Sequence, residues 1–285
     1  MNWFLIDAEE KILPLIEDLK ASTVVALDTE YDSFRYFQPR LCLIQVRTPK
    51  KTYLIDPLSA IDLTFLGDYL ADPYLLKVLH AGDNDLRLLK RDYNFTFRNI
   101  FDTQKAARIL GCPRLSLAFL VHTYLGIPFA KSRKLQRSRW DRRPLREEQL
   151  HYAVLDTAYL IELYAKLVDE ITKKGLEKEV SGLFSELNLV RWTKSRFDEQ
   201  GYLKIAKNRN LSPQEEERLR RLFFWRYEKA RELNRAVFLI LSDEELLRLA
   251  CLKDGEREEL LLLLSPEKIA RFGSELVQLL KGYGE

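Results

Sequence analysis

The sequence predicts an α/β protein: a mixed β-sheet flanked by helices, followed by a small all-α bundle. Three observations carry this. Strand signals at 41–46 and 52–55 are joined by the short polar link Thr48-Pro49-Lys50-Lys51, which reads as a hairpin and hence as antiparallel pairing. From about residue 61, helical and strand periodicities alternate in the manner of βα units. In the C-terminal part the periodic stretches are all helical, and three of them open on helix-start signals.

In chain order, Trp3 to Ile6 has strand character, and Ile12, Leu13, Leu15, Ile16 and Leu19 fall at helical spacing within Ala8 to Lys20. The run Val24-Val25-Ala26-Leu27 is apolar and rich in β-branched residues, the composition of a buried strand, and it ends abruptly in Asp28-Thr29-Glu30. An aromatic loop with Phe34, Tyr36 and Phe37 follows, then the hairpin. A helix near 61–70, a strand at 77–81, a helix from Asp85, a short strand at 100–101 and a helix over 103–110 come next. A long helix opens at Gln149 and is expected to run unbroken to about Lys174. The domain division that follows is 1–175, a linker or helical connection over 176–210, and a helical domain over 211–285, where Ser212-Pro213-Gln214-Glu215 and Ser242-Asp243-Glu244-Glu245 are capping boxes and Ser265-Pro266 starts a further helix.

Composition narrows the function classes. With 46% hydrophobic and 31% charged residues the chain is an ordinary folded one, and a net charge of +3 leaves any polyanion affinity to a local patch. Cys42, Cys112 and Cys251 are odd in number and scattered, which fits reduced thiols, and His80, His122 and His151 have no zinc-finger spacing. The N-terminus lacks a basic region and meets acids early, and no window approaches 18 apolar residues, so neither signal peptide nor membrane span is expected and the expected location is the cytoplasm.

Asp28 and Glu30, two apart in a strand, leave the same face of the sheet. Such like charges repel unless one is protonated or a cation lies between them, and oxygen ligands without His or Cys suit Mg²⁺ or Mn²⁺ rather than Zn²⁺. The alternative is a strand running into a polar loop. A second acidic site, His80-Ala81-Gly82-Asp83-Asn84-Asp85, lies at the carboxyl end of a strand, with Asp83 read as the helix cap and Asp85 as the ligand; Asp102 is read as a cap. Between Ala130 and Arg146 the charge turns basic, and Lys131, Arg133, Gln136, Arg137, Arg139 and Trp140 are the candidates for nucleic-acid contact, the tryptophan as a stacking ring; a solvated charged face is the alternative. Tyr152 and Asp156, four apart, share one helical face, whereas His151 points away from Asp156.

Together these pieces resemble the DEDD superfamily of 3′-to-5′ exonucleases, specifically RNase D, over residues 1 to about 175. The match rests on Leu-Asp-Thr-Glu at 27–30, Pro39 with Leu-Cys-Leu-Ile-Gln at 41–45, His-Ala-Gly with Asp85, Phe-Asp-Thr-Gln at 101–104, Gln136-x-Ser138-x-Trp140 with Arg143-Pro144-Leu145, and Tyr152-Ala153 with Asp156. The superfamily divides into Tyr-x-x-x-Asp and His-x-x-x-x-Asp types; this chain satisfies both, and the helical-face argument favours Tyr152. Arg139 departs from the Asp that RNase D proteins often carry there. Leu219, Leu222, Phe223, Trp225, Arg226, Ala230 and Asn234 are similar to an HRDC domain.

The resemblance implies a ribonuclease H-like fold and a hydrolase that releases nucleoside 5′-monophosphates from RNA with a free 3′ end, tRNA precursors among the candidates, using two divalent metal ions, Mg²⁺ or Mn²⁺. It implies that Asp28 bridges both ions, that Glu30 and Asp156 complete the site of the attacking water, that Asp85 supports the second ion, and that Tyr152 orients the water. A proofreading-type exonuclease acting on single-stranded DNA and a catalytically dead adaptor are the competing readings. The expected working form is a monomer. Phe34, Tyr36 and Phe37 would either stack on terminal bases or pack the sheet edge.

Overall fold

The structure, a computed structural model, describes residues 2–128, 132–193, 196–207, 209–252 and 257–281; Lys131 and the side chain of Arg133, both in the basic stretch, lie outside what it describes. The chain divides into two compact units, one of Met1–Asp32 and Arg40–Thr193, the other of Ser33–Pro39 and Lys194–Glu285.

The first unit is built on a six-stranded mixed sheet: β1 (Trp3–Ile6), β2 (Val24–Asp32), β3 (Arg40–Arg47), β4 (Thr52–Ile55), β5 (Leu76–Leu79) and β6 (Ile100–Asp102), in the order β1-β4-β3-β2-β5-β6. β2, β3 and β4 pair antiparallel, as the hairpin requires, and β1–β4, β2–β5 and β5–β6 pair parallel. Helices α1 (Leu13–Lys20), α2 (Phe65–Ala71), α3 (Asp83–Tyr93), α4 (Thr103–Ile109), α5 (Leu117–Leu125), α6 (Arg133–Gln136), α7 (Glu147–Ala158), α8 (Leu160–Lys174) and α9 (Glu177–Leu189) complete it.

Alternation along β2 sorts the side chains. Val25 and Leu27 join Ile44, Val46, Tyr53 and Ile55 in a core with Leu15 of α1, Leu66 of α2 and Leu86 of α3. Asp28 and Glu30 point the opposite way, toward the face on which α7 packs against β2, β3 and β4. The register slips between Glu30 and Tyr31, where Cys42 is the extra residue of a β-bulge, the kind of irregularity that re-aims side chains beside a site. Fully buried Lys77 donates to the carbonyls of Asp72 and Leu75 (2.7 Å each), closing the end of α2; burial draws its pKa down to about 8.

One expectation fails here. The helix after Gln149 is not continuous: it breaks at Tyr159, where φ −115 and ψ 4 leave the helical region. The stretch read as a linker or helical connection carries α9, which packs against the edge strand β6.

The second unit contains α10 (Tyr202–Ala206), α11 (Pro213–Glu232), α12 (Val237–Ile240), α13 (Asp243–Ala250), α14 (Arg257–Leu263) and α15 (Pro266–Lys281), around a core that includes Leu219, Leu222, Ile240, Leu246, Leu260, Phe272 and Leu276. Both capping boxes form, with Ser212 and Ser242 accepting from the backbone of Glu215 and Glu245. Arg226 is buried and donates to the Leu241 carbonyl (2.9 Å) and to Asp243 (2.7 Å). The aromatic loop belongs to this unit rather than to the sheet edge. The Phe34 ring lies 5.0 Å from that of Phe238, the Phe37 ring lies 5.1 Å from that of Tyr227, and the Ala236 amide donates to the Arg35 carbonyl (3.0 Å). Among the described residues no helix is long and apolar enough to cross a membrane.

Candidate active site

β2, α7 and the β5–α3 turn deliver the acidic residues. Asp28 and Glu30 come from the central strand β2, held on both sides by β3 and β5. Tyr152 and Asp156, one turn apart on α7, are both buried against that face. His151 sits on the outer face of α7, exposed and beside Glu147 (3.6 Å), away from the face that carries Tyr152 and Asp156. Burial and then the charges of Asp156, Glu30 and Asp28 raise the Tyr152 phenol above its ordinary value, so it is a hydrogen-bond donor at neutral pH and not a base.

Asp85, in the first turn of α3, is reached from the strand between the acids: Thr29 Oγ1 donates to Asp85 Oδ1. Burial first, and then the charges of Asp102 and Asp156, push its carboxyl up to about 6. The turn that carries it is held by Asp102, which is wholly buried. Its carboxylate accepts from the backbone N–H groups of Ala81 (3.2 Å), Gly82 (2.9 Å), Gln104 (2.9 Å) and Lys105 (3.0 Å). Asp102 therefore caps α4, as its position after a strand predicts, and also clamps the turn ahead of α3. Ala81 adopts a left-handed φ of 58, and a Cβ on Gly82 would stand 2.8 Å from the Leu79 Cβ, so the turn tolerates only glycine there. Asp83 does not cap α3. The N-cap is Gly82, and Asp83 pairs with Lys105 (2.8 Å).

Asp102→Ala is expected to lower stability by about 2–4 kcal/mol, since it removes a cap and leaves buried N–H groups without an acceptor. Asp102→Asn, which keeps an acceptor oxygen, should cost less. Urea unfolding measures both, and equal midpoints for wild type and the alanine variant would refute the clamp.

The basic stretch is largely built into the fold. Trp140 is only 1% exposed; its Nε1 donates to the Gln136 carbonyl (3.3 Å) and its ring lies 6.0 Å from that of Tyr152. It packs the site and is not available as a stacking ring for bases. Arg143 donates to Asp56, to the Cys42 carbonyl (2.7 Å) and to the Trp140 carbonyl (2.8 Å), tying the stretch to β3 and the end of β4. Arg139 is exposed and forms a two-pronged pair with Asp141 (2.7 and 2.8 Å), while Gln136 and Arg137 are exposed. Thr29 and Asp56 carry no signal of their own in the sequence, because each acts through a partner far away along the chain, and Arg143, one of the basic stretch's candidates for a polyanion, is engaged with Asp56 instead.

Asp28, Glu30, Asp85 and Asp156 form an all-oxygen donor set, and the charges that bear most on Tyr152 and Asp85 are negative. That chemistry fits a hard divalent cation. The acids are not gathered into a closed cage: among the described residues no group of three or more His, Cys, Asp or Glu stands ready to hold a metal ion.

Residues 4–172 match the family model described as a 3′-5′ exonuclease, and residues 215–280 match the HRDC domain. Ribonuclease D of Desulfotalea psychrophila is 34% identical over 95% of this chain and 74% of its own length. The Exosome complex component 10 homolog of Drosophila melanogaster is 32% identical over 92% of this chain, which spans only 30% of that longer protein. Among solved structures, Escherichia coli RNase D matches with a TM-score of 0.72 at 32% identity, over 99% of this chain and 75% of that one. The catalytic core of RRP6 from Trypanosoma brucei matches with 0.87 at 26% identity, over 98% and 79%. The chain thus belongs to the RNase D type of 3′-5′ exonucleases, with an HRDC domain following the exonuclease domain.

Proposed function

We propose that this chain is a metal-dependent 3′-5′ exoribonuclease that removes nucleoside 5′-monophosphates from RNA with a free 3′ end, with structured RNAs such as tRNA precursors as the substrate class. The observation that carries the reading is the meeting of α7 with β2, which brings Tyr152 and Asp156 onto the face of Asp28 and Glu30. Support for the substrate comes from the RNase D relatives; the Escherichia coli protein is described as an exoribonuclease involved in structured RNA processing.

Asp28, Glu30, Asp85 and Asp156 would hold two Mg²⁺ or Mn²⁺ ions. When bound, such ions stabilise charge on the attacking and leaving oxygens and acidify the attacking water. The chain's own contribution is positional. Tyr152, kept protonated by burial and by its acidic neighbours, donates a hydrogen bond that orients the attacking water. Trp140 fixes the Tyr152 ring and keeps bulk water from its inner side. Exposed Gln136, Arg137 and Arg139 are the described side chains of the basic stretch assigned to the RNA backbone.

Digestion of labelled single-stranded and tRNA-like RNA, with free or phosphate-blocked 3′ ends, tests this beside a matching DNA. Mononucleotides should appear from free-ended RNA with Mn²⁺ or Mg²⁺ and vanish with EDTA or a blocked end. Internal fragments, or digestion that survives EDTA, would overturn the reading; faster digestion of the DNA would move the substrate to DNA.

A further inference from the structure

Gln45 of β3 is the register partner of Asp28 on β2, and it is completely buried. Residues directly opposite in an antiparallel pair project from the same face, with Cβ atoms about 4.5–5.5 Å apart. Gln45 therefore leaves the sheet beside Asp28, on the face covered by α7. Its own strand neighbour on that side, Leu43, and its partner on β4, Leu54, are both core residues packed with Tyr152, Ala153 and Val154. Among the described residues, neither its Nε2 nor its Oε1 has a hydrogen-bond partner.

A buried carboxamide with both ends unmet is a cost that an apolar side chain of the same size would not carry. Packing alone does not account for it, because leucine or methionine fills such a space without a polar group to satisfy. The adjacent residue supplies the account. Asp28 is a carboxylate whose two oxygens, on the reading proposed above, must be presented to cations, and an amide N–H is the neutral donor that can hold a carboxylate in one orientation without competing for the metal.

We infer that Gln45 is a positioning residue for Asp28: its carboxamide is unsatisfied in the metal-free protein and hydrogen-bonds the Asp28 carboxylate when divalent cations load the site. It touches neither substrate nor reacting atoms. The inference rests on the metal-dependent reading and predicts an opposed pair of effects that a structural glutamine would not show.

The experiment is a melting curve of the full chain in EDTA and along a Mn²⁺ titration, for wild type, Gln45→Met and Gln45→Leu. In EDTA the near-isosteric variants should melt about 2–4 °C higher than wild type, because an unmet polar group has been removed. The apparent Mn²⁺ affinity, read from the concentration dependence of the melting temperature, should fall by about 10–100-fold, the usual effect of losing a partner that orients a metal ligand. A lower or unchanged melting temperature in EDTA for both variants, or failure of both to fold, would mean that the amide has a structural partner and would overturn the assignment. So would an Mn²⁺ affinity equal to wild type. A wild-type melting temperature indifferent to Mn²⁺ is a different result: it defeats the metal-dependent reading itself, whereas a wild-type rise retained in both variants defeats only the role of Gln45.

Discussion

Asp28→Asn is expected to reduce mononucleotide release at least about a thousandfold, roughly 4 kcal/mol of transition-state stabilisation. The substitution keeps the shape of the side chain and removes one charge from a group of carboxylates that already repel one another. β2 is a central strand, paired along its length with β3 and at its start with β5, so the scaffold does not depend on that charge. The metal-free variant should therefore melt no lower than wild type, and the activity loss should appear in kcat under saturating RNA. Single-turnover digestion alongside a melting curve separates the two effects. A variant that keeps more than a tenth of the wild-type rate would remove Asp28 from the mechanism.

Trp140→Ala should have the largest effect on stability, about 3–5 kcal/mol, the cost of emptying a fully buried aromatic site. The ring packs with Cys42, Leu43, Leu54, Tyr152, Ala153 and Val154, so the cavity would open directly behind the Tyr152 phenol. A tryptophan that served as a platform for bases would behave differently: stability would be unchanged and RNA affinity would fall by about 1–3 kcal/mol. Guanidinium unfolding and RNA binding, measured on Trp140→Ala and on the milder Trp140→Phe, discriminate between these outcomes. The phenylalanine variant should fold, bind RNA within about threefold of wild type, and lose turnover through a less constrained Tyr152. A stable alanine variant with weakened RNA binding would restore the stacking role.

Local rules served well wherever the chemistry is local. The spacing of Asp28 and Glu30 in a strand, of Tyr152 and Asp156 in a helix, and the capping boxes at Ser212 and Ser242 all follow from backbone periodicity and reappear in the structure. The hairpin of β3 and β4 was legible for the same reason. The break at Tyr159 was not, because helical periodicity continues on both sides of it. Asp83 misled because capping was judged from residue type, whereas Lys105, more than twenty residues on, competes for its carboxylate. Phe34 and Phe37 were assigned by their nearness to Glu30 along the chain, yet the surfaces that receive them are Phe238 and Tyr227.

By itself the sequence determined the kinds of group this protein has to work with: oxygen donors without a soft ligand, a tyrosine one turn from an aspartate, a strand that ends in acid, and helices with their own start signals. Only the tertiary structure decided which of them face one another. It turned Trp140 inward, engaged Arg143 with Asp56, made Asp102 a clamp and set Gln45 beside Asp28. The reason is physical: periodicity fixes the direction in which a side chain leaves its own backbone, but burial and pairing are properties of two surfaces, and the second surface comes from elsewhere in the chain.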